Sequence, residues 1–132
     1  MRLIVTSFTA AAALGLAACG SDSSGKATTG ESAAVARTEV GKTRDALKAA
    51  LATYKAGDTA AAADQVAEAY VSHFEDVEAP LDKKDHALKE RLEKSISSGL
   101  RTHMKAKEPA AAVAREVAAV VADLDKAEAA LR

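Results

Sequence analysis

The chain has little of what usually stabilises a small secreted domain or equips it for chemistry. One cysteine occurs in 132 residues, so no intrachain disulfide can form and packing alone must hold the folded part. Tryptophan is absent, and two tyrosines and two phenylalanines are the whole aromatic content. The apolar fraction of 48% is therefore carried largely by alanine. Two prolines and seven glycines occur, most of the glycines in the first third, so the remainder has few helix breakers. The formal net charge is -1, which lacks the basic surplus that neutralising nucleic-acid phosphates requires. No nucleic-acid partner is expected. No stretch alternates with period two, so strands are not expected either.

What the chain does have begins at its N-terminus. Arg2 precedes an uncharged run of sixteen residues, Leu3 to Ala18. A spanning helix needs roughly 20 such residues, whereas the apolar region of an export signal is shorter. The run ends in Leu16-Ala17-Ala18-Cys19-Gly20. This resembles the lipobox of bacterial lipoproteins: a leucine, two small residues and the cysteine whose thiolate accepts diacylglycerol. The resemblance implies a cleaved leader over 1–18 and a membrane-lipid anchor on Cys19, with the protein held at the extracytoplasmic side of a cell membrane.

Gly20 to Ala33 is rich in Ser, Gly and Thr and buries nothing, so residues 19–33 are expected to form a flexible tether. Its typical reach would be roughly 20 Å, and about 50 Å fully stretched.

Residues 34–132 carry helical periodicity. Ala36, Val40, Leu47, Leu51 and Tyr54 share one stripe. Gly57 is a helix stop and Asp58 an N-cap. A second helix, from about Thr59 to Glu78, presents Ala63, Val66, Tyr70, Phe74 and Val77. Ala79-Pro80 should break it, and Asp82 should cap a third helix with the stripe Leu88, Leu92, Ile96, Gly99 or Leu100, and His103. Lys105-Ala106-Lys107 ends that helix favourably, and Pro109 suits the first turn of a fourth. Val113, Val117, Val120, Leu124, Ala127 and Leu131 then alternate steps of four and three, as a bundle seam does. Helices of matched length joined by short turns predict an all-α, up-down-up-down four-helix bundle.

Catalysis finds no support. The thiol is consumed by lipid, none of the three histidines accompanies a nucleophile in a turn, and Gly41-Lys42-Thr43 lacks the strand and first glycine of a phosphate loop. An enzyme is not expected. Metal binding remains open. Asp64, Glu68, Glu75 and Glu78 project from one side of the second helix, and Glu75-Asp76-Val77-Glu78 brings two carboxylates onto neighbouring turns. Hard cations prefer such oxygen donors; the competing reading is a solvated acidic face. His86, Glu90 and Glu93 share one face of the third helix at i, i+4 and i+7. His73 lies beside the apolar stripe, and His103 within it reads as a packed core residue.

The run Tyr54-Lys55-Ala56-Gly57-Asp58, followed by Glu68-Ala69-Tyr70-Val71-Ser72-His73-Phe74-Glu75-Asp76-Val77-Glu78-Ala79-Pro80-Leu81, carries a family resemblance. It is similar to the extracytoplasmic helical domain of bacterial high-affinity, oxidase-dependent iron permeases, over roughly residues 47–131. The resemblance implies a role near iron uptake, with Glu75, Glu78 and Glu93 as candidate iron-handling carboxylates beside Tyr70. Glu68, His73, His86 and Glu90 are secondary candidates, and iron is the only cofactor implied. The permeases fuse this domain to a channel bearing an Arg-Glu-x-x-Glu motif. Lys89-Glu90-Arg91-Leu92-Glu93 differs from that motif and sits in a charged, soluble helix. The expected function is thus an accessory or metal-binding lipoprotein of an iron-uptake system, one that binds or delivers iron or docks on a separate permease. The alternative is a protein-interaction module for an envelope partner, without metal.

Overall fold

The computed structural model of the chain describes residues 29–132. The leader, Cys19 and the linker as far as residue 28 lie outside the described residues. The described residues contain four helices and no strand. We label them α1 (Thr29–Lys55), α2 (59–82), α3 (86–105) and α4 (Ala110–Ala130). No helix among them is long and apolar enough to cross a membrane. Because α1 begins at Thr29, residues 29–33 are helical rather than part of the expected tether.

The first turn forms as the sequence predicts. Gly57 takes φ 101°, a left-handed conformation that costs glycine little. Asp58 then accepts a hydrogen bond from the backbone N–H of Ala61 at 3.0 Å, satisfying one of the free donors at the start of α2.

The end of α2 differs from expectation. The helix runs through Pro80 and stops at Asp82. Proline removes a single donor so close to the helix end, and the next residue, Leu81, is fully buried and keeps the last turn packed. The Leu81 carbonyl accepts from the N–H groups of Lys84 and Asp85. Asp85, not Asp82, caps α3: its carboxylate accepts from the Leu88 N–H at 2.9 Å. Pro109 sits just before α4 rather than in its first turn, with extended ψ 133°.

Two π turns interrupt the middle helices, at Tyr70–Phe74 in α2 and Ser95–Gly99 in α3. Each absorbs about one extra residue. The consequence is visible in α3, where Leu88, Leu92, Ile96, Leu100 and Met104 are all buried. Four steps of four residues in a plain α-helix would rotate by about 160° and carry the last side chain off the core. The π turn returns about 100° of that rotation. Met104 therefore enters the core, and His103, expected in the stripe, is half-exposed instead. In α2 the same device makes Ala69 and Phe74, five residues apart, consecutive core positions.

The core joins all four helices. Phe74, Leu47, Leu81, Leu92, Leu100 and Leu124 are among its largest fully buried side chains, and Ala36, Ala50, Ala62, Ala63, Ala69 and Ala127 fill it between them. Tyr54 is buried, while Leu51 and Tyr70 pack half-buried at its margin. The Tyr54 hydroxyl donates to the Glu108 carbonyl, tying the end of α1 to the turn before α4.

Gly41 lies within α1, and a Cβ there would meet nothing within 4 Å. Gly41→Ala should raise stability by about 0.5–1 kcal/mol by removing backbone freedom from the unfolded chain. Urea denaturation of the two proteins measures it; a loss of stability would mean that the helix is interrupted at that point.

Candidate functional site

The acidic residues singled out in the sequence fall into three places. Glu78 on α2 contacts Tyr70, and the charges of Glu75 on α2 and Glu93 on α3 also bear on it. The Tyr70 hydroxyl donates to Glu78 Oε1 at 2.7 Å. These residues are eight apart, and in an uninterrupted helix they would point about 80° away from each other. The π turn between them brings them into line. Burial is the main cause that raises the Tyr70 phenol pKa above its ordinary value, followed by the Glu78 hydrogen bond and the charges of Glu78, Glu93 and Glu75. Tyr70 therefore stays a protonated donor at neutral pH. Its ring packs against Phe74, with centroids 5.9 Å apart.

Lys89 balances this edge. Its ammonium donates to Glu93 Oε2 at 3.1 Å and lies 3.9 Å from Asp82 Oδ1. The Glu93 hydrogen bond, with the charges of Glu93, Asp82 and Glu78, raises the Lys89 pKa. Glu78, Ala79, Asp82 and Lys89 line a shallow cavity of about 270 Å³ between α2 and α3.

His86 and Glu90 lie beside this edge. His86 Nδ1 is 2.6 Å from Asp82 Oδ1, and its Nε2 is 3.2 Å from Glu90 Oε1. The Asp82 hydrogen bond, then the Glu90 charge, raises the His86 pKa. The same contact holds Asp82 below the usual carboxylate range. Both ring nitrogens are thus engaged by carboxylates.

Glu68 and His73 belong elsewhere, between α1 and α2. His73 Nδ1 is 2.8 Å from Glu39 Oε2, and Glu68 accepts from the Ser72 hydroxyl. Asp64 is exposed on α2. His103 Nδ1 meets Glu108 Oε2 at 3.1 Å and Glu116 Oε2 at 3.2 Å, joining the end of α3 to α4.

Among the described residues, no group of three or more His, Cys, Asp or Glu side chains is arranged to hold a metal ion. The α2–α3 edge as it stands is a carboxylate cluster with an internal ammonium as its counter-ion. A hard cation could use the Glu93 oxygen that Lys89 holds only by displacing that ammonium. Sequence spacing could not show this, because Lys89 and Glu93 are an ordinary i,i+4 helix pair. Nor does periodicity place Glu39 opposite His73, since that contact crosses between helices.

Comparisons with models of protein families, with curated proteins and with solved structures find no match for this chain.

The raised His86 pKa gives a pH dependence with a definite sign. Its ion pairs contribute fully below the ordinary histidine value of 6.5 and fade as pH rises through the higher folded value. An NMR titration of the imidazole should place its midpoint above 6.5, and Asp82→Asn should lower it. A midpoint unchanged by Asp82→Asn would contradict the contact.

Proposed function

We propose that the chain is a membrane-anchored extracytoplasmic lipoprotein that serves an iron-uptake system, its four helices arranged up-down-up-down. The supporting observation is that the Tyr70 phenol donates to Glu78 Oε1 where the charges of Glu75, on the same helix, and of Glu93, on α3, also bear on it. These are the carboxylates that the resemblance to the iron-permease helical domain implies. Oxygen donors of this kind suit ferric iron. Iron is cargo in this reading, held loosely enough to pass to a separate membrane permease, because Lys89 competes for the Glu93 carboxylate. The bundle arrangement is supported by the short turns and by cross-helix contacts at both ends: Arg37 donates to the Leu131 carbonyl at 2.7 Å, and Tyr54 to that of Glu108.

The anchoring half of the reading rests on the Leu16-Ala17-Ala18-Cys19 pattern. Two acyl chains suffice for stable attachment. Cys19→Ala should release the domain from the membrane fraction or leave an unprocessed precursor. Membrane retention of a fully processed mutant would refute the assignment.

Calorimetric titration with ferric citrate, or with ferrous iron under anaerobic conditions, tests the iron role. We expect saturable binding that is lost in the triple variant Glu75→Ala/Glu78→Ala/Glu93→Ala. Lys89→Met should strengthen binding several-fold by removing the competing ammonium. Absence of saturable binding to both proteins overturns the iron role.

A second reading, a protein-interaction module docking on an envelope partner without metal, is favoured by the existing Lys89–Glu93 pair, which leaves Glu93 already engaged. Crosslinking in intact membranes that captured a partner through α2 and α3, in a protein that takes up no iron, would select it.

A further inference from the structure

Charge on α2 and its neighbours is divided between two ends. Residues 75–85, at the C-terminal end of α2, hold five acidic side chains against Lys83 and Lys84. The other end of α2 lies roughly 36 Å away along the helix axis. There the turn from α1 to α2 meets the turn from α3 to α4, because the Tyr54 hydroxyl donates to the Glu108 carbonyl. Lys55, next to Tyr54, and Lys105 and Lys107, just before Glu108, are all exposed on this tip. None of the three enters an ion pair among the described residues. The two acids of the same turns are engaged: Asp58 caps α2, and Glu108 meets His103. The tip is therefore basic although the whole chain has a net charge of -1.

Lys55 and Lys105 stand in the last turns of their helices, where positive charge is favourable. Lys107 has no such explanation. It lies past the end of α3 with φ 56°, the left-handed conformation that suits glycine. Its N–H donates to the Met104 carbonyl at 3.0 Å, and that of Glu108 to the His103 carbonyl at 3.2 Å. These bonds close the helix in the way that usually places glycine at this position. Gly57 fills the corresponding place after α1. A lysine kept there at a cost to the backbone points to a use for its charge.

We propose that this basic tip docks a linear phosphate-bearing polymer through Lys55, Lys105 and Lys107. Lysine binds phosphate as a point charge and needs no fixed fork geometry, which suits a repeating polyanion. A protein partner would call for large apolar anchors. The exposed large apolar side chains among the described residues are Val35 and Val71, and neither lies in these turns. Insertion into a lipid surface would need the same apolar contact. Stacking on nucleic-acid bases would need an exposed ring, and Tyr54, the aromatic residue of the tip, is buried. The tip shares no residue with the α2–α3 edge and does not depend on the iron reading.

Fluorescence anisotropy of a labelled long-chain inorganic polyphosphate, titrated with the full chain in detergent, tests this. We expect saturable binding that weakens as salt rises, with a logarithmic slope of about -2 when three phosphates are neutralised. The variant Lys55→Gln/Lys105→Gln/Lys107→Gln should bind about tenfold more weakly, or worse, at low salt. Lys83→Gln/Lys84→Gln/Lys94→Gln lowers the net charge equally and should leave binding nearly unchanged. Lys107→Gly separates charge from fold: glycine suits φ 56°, so the urea midpoint should rise while polymer binding weakens several-fold. No saturable binding, equal losses in the two triple variants, or undiminished binding by Lys107→Gly would overturn the proposal. So would tighter binding to polyglutamate or to phosphatidylglycerol vesicles than to polyphosphate.

Discussion

A stripe of side chains spaced four apart drifts by about 40° at every step of an α-helix, because 3.6 residues complete a turn. Both middle helices depend on correcting that drift. In α3 the apolar side chains recur strictly every fourth residue from Leu88 to Met104. Only the π turn at Ser95–Gly99 keeps them on one side of the helix. Gly99 ends that turn where Glu116 of α4 comes close, 3.4 Å from the position a Cβ would take. In α2 the π turn at Tyr70–Phe74 has a wider effect. It keeps Phe74 in the core, swings Tyr70 to the margin beside Glu78, and carries Glu68 and His73 to the opposite edge. One inserted residue therefore sets both polar edges of α2.

The core that these helices share is built from small pieces. Alanine lets helix backbones approach closely but removes little apolar area per residue from water. Larger side chains such as Phe74, Leu81 and Leu100 supply most of the buried volume. Cross-helix ion pairs supplement them: Arg44 meets Asp125 and Glu128 at 2.8 Å each, and Arg91 meets Asp123 at 2.8 Å. Pairs at the surface contribute modestly, so these mainly fix which faces of α4 meet α1 and α3. The same small side chains leave a cavity between α1 and α2, bordered by Ala46, Ala49 and Ala69.

Charge on this protein is partitioned by geometry more than by composition. On α2 and α3, Lys89 and His86 each already engage two acidic groups. On α1 and α2, the buried Glu39 spends one oxygen on Lys42 and the other on an imidazole. The first arrangement engages Asp82, Glu90 and Glu93 at the surface; the second turns a buried carboxylate toward an imidazole on the facing helix. A sequence rich in Glu and Lys on helix faces contains no sign of that difference.

The sequence by itself determined the all-helical class, the four helices, the Gly57 stop with its Asp58 cap, and the valine seam of α4. These follow from local rules that act over one or two turns: periodicity, capping and the conformational range of glycine. Glu75, Glu78 and Glu93 were candidates only through a family resemblance, which local rules do not supply. Tertiary structure alone decided where the helical period slips, because a π turn is selected by whether the next side chains reach the core. That is why Met104 is buried in place of His103, and why Pro80 lies within a helix held by the buried Leu81. It also decided which charges meet, since Glu39 and His73 lie 34 residues apart and are joined only when α1 and α2 pack.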